Sequence, residues 1–151
     1  MKLEPLVFSA TVPIKPAAAF DLFTSRMARW WPLIDHSIYT VNATFCVIEA
    51  VPGGRVFERS STGEENDWGK VLVVDKPHRL VMTWHPGGGP ATEVELTFIA
   101  SGPGTLVTLE HRKWENLAEQ AEAAHTGYAN GWPYVFGQRF VEAANAENQN
   151  L

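Results

Sequence analysis

The sequence predicts an α+β fold: a curved antiparallel sheet with one long helix laid over its concave side. Three observations predict it. Seven short β-like runs are each closed by turn residues, six of them follow one another with no helix between, and an apolar stripe at helical spacing lies near the C-terminus. The same order of elements also fits other α+β sandwiches, so the pattern alone sets the class and leaves the topology open.

The first run, Leu6 to Val12, is β-branched and apolar and is closed by Pro13 and Pro16. Pro16 suits the first turn of a helix, and Phe20, Phe23, Met27, Trp30 and Trp31 then fall at intervals of three and four. This predicts two short helices with a bend near Thr24-Ser25, ended at Trp31-Pro32 because the residue before a proline is driven out of the α region. Six runs follow: Thr44 to Ala50, Arg55 to Ser60, Trp68 to Asp75, Arg79 to His85, Thr92 to Ala100 and Leu106 to Trp114. Pro52-Gly53-Gly54, Thr62-Gly63, Lys76-Pro77, Pro86 to Pro90 and Gly102-Pro103-Gly104 separate them. Val94, Leu96 and Phe98 alternate with Glu93, Glu95 and Thr97, the period of a sheet with one buried face. Glu115 to Ala124 is rich in Ala, Glu and Gln and favours helix, with an interruption at Thr126-Gly127. Trp132, Val135, Phe136 and Phe140 then share one face of a terminal helix, with Pro133 placed in its first turn. The polar tail from Asn145 is expected to fray.

A chain of 151 residues is the size of one domain, read here as 1–151. With 45% hydrophobic and 11% aromatic residues it is too apolar to be mainly disordered. A net charge of -5 and the lack of any basic run argue against a nucleic-acid partner. The one cysteine, Cys46, forms no internal disulfide and reads as a small core residue, which fits a reducing cytoplasm. The N-terminus lacks a signal-peptide pattern and no run is long enough to span a bilayer, so a cytoplasmic chain without membrane insertion is expected. His36, His78, His85 and His125 show no ligand spacing, and no metal or cofactor is expected. Nucleophile-elbow, phosphate-loop and zincin motifs are missing, and Gly87-Gly88-Gly89-Pro90 reads as a hairpin loop because it precedes a strand.

Three stretches carry a resemblance to a known family: Pro52-Gly53-Gly54-Arg55-Val56-Phe57-Glu58-Arg59, Asp67-Trp68-Gly69-Lys70-Val71, and Lys76-Pro77-His78-Arg79-Leu80-Val81-Met82-Thr83-Trp84. Leu109 to Glu115 and the Gly127-Tyr128 to Gly131-Trp132-Pro133 entry to the last helix agree with them. Together they resemble the helix-grip superfamily of START-type lipid-binding domains, polyketide cyclases and birch-pollen allergens, in the branch of the heat-shock-protein-90 ATPase activator homologues. The resemblance implies a seven-stranded sheet gripping the C-terminal helix around an apolar cavity. It carries over no single function, since the fold serves carriers, cyclases and co-chaperones alike. Eukaryotic co-chaperone members have a further N-terminal domain for which this chain is expected to have no room, which argues against chaperone activation.

Within that frame the expected ligand-binding residues are Trp30, Phe57, Glu58, Trp68, Trp84, Phe98, His111, Trp132 and Phe136. Trp84 shares a strand face with Leu80 and Met82 and reads either as core or as cavity wall. Glu58 turns inward if Val56 and Ser60 do; the opposite parity buries Phe57 and sends Glu58 to solvent. His111 follows Val107 and Leu109 at intervals of two, and a lone histidine among apolar residues is more often structural than catalytic. Three functions remain open: a carrier of a small apolar or amphipathic molecule, an enzyme of cyclase, dehydratase or hydrolase type with Glu58 and His111 exchanging protons, and an interaction module that pairs with itself or a chaperone through Trp30-Trp31.

Overall fold

The computed structural model describes residues 2–149. Seven strands, β1 (Leu6–Val12), β2 (Ala43–Ile48), β3 (Arg55–Ser60), β4 (Glu65–Asp75), β5 (Arg79–Trp84), β6 (Thr92–Ser101) and β7 (Gly104–Arg112), form one sheet in the order β1-β7-β6-β5-β4-β3-β2. Every neighbouring pair is antiparallel. The expected meander from β2 to β7 is therefore present, and β1 closes it against β7 by pairing Leu6 with His111 and Val12 with Thr105. This is the seven-stranded helix-grip architecture.

Between β1 and β2 the chain forms α1 (Pro16–Phe23), a turn at Thr24 where the helix bends off, and a short 3-10 turn at Met27–Arg29. Phe20, Phe23, Met27 and Trp30 of the expected stripe are buried, and Trp30 sits against Phe23 and Phe140. The alternating residues of the strands, such as Leu80, Met82, Val94, Leu96, Val107 and Leu109, meet these side chains and Phe136, Phe140 and Ala144 of the C-terminal helix in one core. Removing this apolar surface from water, at about 25 cal/mol per Å², is the main force holding helix to sheet.

The C-terminal helix differs from expectation. Trp114 does not end β7; it opens a 3-10 stretch, Trp114–Gln120, that is kinked at Ala118. From Ala121 the helix is continuous to Gln149: α2 (Ala121–Tyr134), a π-helical segment (Val135–Phe140) and α3 (Val141–Gln149). Thr126-Gly127 does not interrupt it, because a mid-helix glycine costs only about 1 kcal/mol and the flanking face is packed. Pro133 lies inside α2 rather than in a first turn, and the helix widens to π geometry just after it, one of the ways a helix absorbs a locally broken hydrogen-bond ladder. Arg26 and Arg29 pair with Glu147 and tie α3 to the 3-10 turn after α1. The tail therefore stays helical to Gln149, and its last residues, Asn150 and Leu151, lie outside the described residues.

Candidate functional site

One row of side chains crosses the concave face from β3 to β7: Glu58, Trp68, Trp84, Thr92 and His111, all buried. Trp68 joins the row through a bulge. Val56 pairs with Gly69 and Phe57 with Asp67, so Trp68 is the extra residue, and the bulge re-aims its side chain inward. Gly69 follows because β4 and β5 nearly touch there; a Cβ on it would sit 1.8 Å from the Thr83 carbonyl oxygen.

Glu58 is fully buried, which selects the inward register. Its Oε1 accepts from the Ile38 amide (2.6 Å) and from Trp68 Nε1 (2.7 Å), and its Oε2 accepts from the Tyr39 amide (3.1 Å). Three N–H donors thus satisfy the carboxylate, and the segment after Trp31 is tied to the sheet by them.

At the other end of the row, His111 Nδ1 accepts from Trp132 Nε1 (3.0 Å), and indole can only donate. The ring proton is therefore on Nε2, which donates to Thr92 Oγ1 (2.7 Å), and Thr92 passes its own proton to the Trp84 carbonyl (3.1 Å). Burial first, and the charge of His125 second, push the His111 imidazole down to about 3, so it stays neutral. It packs at a tilt against Trp114 with ring centroids 4.2 Å apart. Both expected acid/base candidates are thus closed by internal hydrogen bonds. They also stand four strands apart, roughly 19 Å along the sheet at about 4.8 Å per strand. Glu58 and His111 do not form one proton-transfer unit.

Between the row and α2 lies a cleft of about 390 Å³. Trp31, Trp68, Trp84 and Trp132 make its floor and inner wall, Tyr128 and Val135 its helix side, and Asp35 to Ile38 with Pro86 its rim. Trp31 is the centre of the cluster, 5.1 Å from Trp68 and 5.9 Å from Trp84 and Trp132 between ring centroids. Every indole N–H of the floor is already used: Trp31 donates to the His36 carbonyl, Trp68 to Glu58, Trp84 to the Tyr128 hydroxyl and Trp132 to His111. The floor offers a ligand aromatic surface rather than donors. At the rim, Asp35 Oδ1 meets His36 Nδ1 at 2.7 Å.

Of the expected ligand-binding residues, Trp68, Trp84 and Trp132 line this cleft, while Glu58 and His111 hold their indoles from behind. Trp30, Phe98 and Phe136 do not reach it; they belong to the solid core beside α1, where Phe98 meets Phe20 at 5.3 Å and Phe136 meets Phe23 at 6.4 Å. Phe57 is on the convex face, covered by Phe45 and by the Arg55 guanidinium 4.0 Å from its ring centre, since adjacent strand residues cannot both point inward. The Trp30-Trp31 pair, considered as an interaction patch, is buried. Sequence reasoning missed Trp31 and Tyr128 as lining residues. Trp31 was on the apolar stripe, but only the fold separates it from Trp30: one faces α1, the other the cleft. Cys46 is in the core, where burial raises its thiol well above the usual range, so it is no nucleophile. Among the described residues no group of three His, Cys, Asp or Glu side chains could hold a metal ion, and no helix is long and apolar enough to cross a membrane.

The family model described as Activator of Hsp90 ATPase homolog 1-like protein matches residues 13–145. The chain belongs to this family. Solved structures extend the likeness of this activator-homologue chain. The anthrahydroquino-Gama-pyrone synthase Txn09 is 30% identical, with 93% of this chain and 97% of that one covered and a TM-score of 0.64. CalC of Micromonospora echinospora, described as a self-sacrificing resistance protein, is 29% identical over 95% of both chains, with a TM-score of 0.71. Protein NE0264 of Nitrosomonas europaea, at 15% identity and a TM-score of 0.70, shares the fold alone. No curated protein matches the sequence.

Proposed function

We propose that this activator-homologue domain binds a small, largely apolar molecule in the cleft between the concave sheet and α2. The observation that carries this reading is the four-tryptophan floor under a cleft of about 390 Å³, within the range of small-molecule sites. Two helix glycines support it. Gly127 and Gly131 line the cleft in mid-helix, each costing about 1 kcal/mol against alanine, yet an added Cβ on either would meet nothing within 4 Å. The helix therefore carries no side-chain volume at two positions where it borders the cleft. The likeness to a synthase and to a resistance protein near 30% identity also supports a small molecule as the partner. Apolar contact with the indoles supplies the affinity, and the rim groups Asp35 and His36 leave space for a polar end of the ligand to stay wet.

The test is a titration with a chemically broad panel of fatty acids, steroids and polycyclic aromatics, followed by tryptophan emission and melting temperature. Binding should quench or shift the emission, since Trp31, Trp68, Trp84 and Trp132 all face the site. A panel that changes neither signal rejects the reading.

A further inference from the structure

Tyr128 carries a hydrogen-bonding asymmetry that the fold does not use. Its hydroxyl oxygen accepts from Trp84 Nε1 at 3.1 Å, and an indole nitrogen can only donate, so the direction of that bond is settled. The phenolic proton must then point elsewhere, and among the described residues nothing accepts it. Burial pushes the Tyr128 phenol up, so the proton stays on the oxygen at neutral pH. The ring is held on three sides, by His111 at 4.7 Å, Trp114 at 5.9 Å and a stacked Trp132 at 6.1 Å between centroids. It is thus a rigid donor on the wall of the cleft, beside the indoles of Trp84 and Trp132. A donor that already accepts one hydrogen bond gives a stronger one in turn.

Resting on the cleft-binding reading above, we infer that the ligand is an apolar ring molecule bearing a carbonyl oxygen, which accepts a hydrogen bond from the Tyr128 hydroxyl. An apolar ring system fits because four indoles line the cleft and the helix beside it carries no side chain at Gly127 and Gly131. The acceptor is required because a ligand lacking one would leave the hydroxyl without a partner for its proton in a site it has emptied of water.

9-Fluorenone and fluorene test this, since they share three fused rings and differ by a carbonyl in place of a methylene. Their affinities for the full chain and for Tyr128→Phe are read by tryptophan quenching, with melting temperature as the control for folding. The wild type should bind fluorenone about three- to tenfold more tightly than fluorene. Tyr128→Phe should erase the preference, bringing the affinities for fluorenone and fluorene to within about twofold of each other whatever it does to their common level. If the wild type binds both probes equally, or the variant keeps the preference, the Tyr128 inference is wrong while the cleft remains a binding site. If the wild type binds neither probe but answers to another member of the broad panel, the Tyr128 inference is wrong and the cleft reading stands; if the whole panel is silent, both fall.

Discussion

Replacing His111 with glutamine should remove a pH dependence of stability that the wild-type domain carries. In the folded protein the imidazole is pushed down from its ordinary 6.5 to about 3, chiefly by burial. The unfolded chain takes up a proton near 6.5, and the folded one resists it until about 3, so between those values the unfolded state holds more protons and stability rises with pH. Stability is therefore complete above pH 6.5 and is lost as pH falls through that window, at about 1.4 kcal/mol per unit. From pH 6.5 to 4 the loss comes to about 3 kcal/mol, a large share of the roughly 5 to 15 kcal/mol that holds a domain together. Glutamine can accept from Trp132 Nε1 with its oxygen and donate to Thr92 Oγ1 with its amide, so it replaces both partners of the ring but never titrates. The ring contact with Trp114 that it gives up lowers stability by an amount that does not vary with pH. Urea unfolding of both proteins, followed by tryptophan emission at pH 7, 6, 5 and 4, gives the comparison directly. The two curves should converge as pH falls, because only the wild type loses the His111 contribution; the carboxylates titrate in both. Curves that run parallel from pH 7 to 4 would refute the claim that His111 is held neutral in the fold.

Glu58→Gln should cost about 2 kcal/mol, since an amide nitrogen cannot accept and a buried N–H left without its partner costs roughly 1 to 3 kcal/mol. It should also speed hydrogen exchange at Ile38 and Tyr39, whose amides it anchors; unchanged protection there would show that Glu58 does not hold the rim. Gly131→Leu should abolish ligand binding while moving the melting temperature little, because the new side chain enters the cleft rather than the core; binding retained at wild-type strength would place the ligand elsewhere. Gly69→Ala should be among the most damaging single-methyl changes, by about 3 kcal/mol or more, since its Cβ would overlap the Thr83 carbonyl and force β4 from β5; a melting temperature within a few degrees of wild type would contradict that close approach.

Much of this architecture was legible as local pattern. Pro52-Gly53-Gly54 and Gly102-Pro103-Gly104 mark turns because glycine and proline suit those backbone angles, whatever the rest of the chain does. The alternation in Val107, Leu109 and His111 put the histidine on the inner face for the same reason: a strand has a period of two. The parity of β3 was legible only as a choice. The sequence offers Phe57 and Glu58 alike as ligand-binding candidates but with opposite parities, and a strand can turn just one of two neighbours to a given face.

By itself, then, the sequence determined the fold class, the seven strands, the amphipathic C-terminal helix and the inward histidine, each of which rests on interactions within a few residues. Only the tertiary structure decided that the helix runs unbroken through Gly127 and Pro133, that the bulge at Trp68 turns an indole into the interior, and that Trp31 rather than Trp30 faces the cleft. It also decided the chemistry of the two polar candidates, because the partners that close them come from distant parts of the chain: Ile38 and Tyr39 for Glu58, Thr92 and Trp132 for His111. A propensity or a periodicity acts along the chain, whereas the burial that neutralises His111 and the contacts that satisfy Glu58 exist only once four strands and a helix have been brought together.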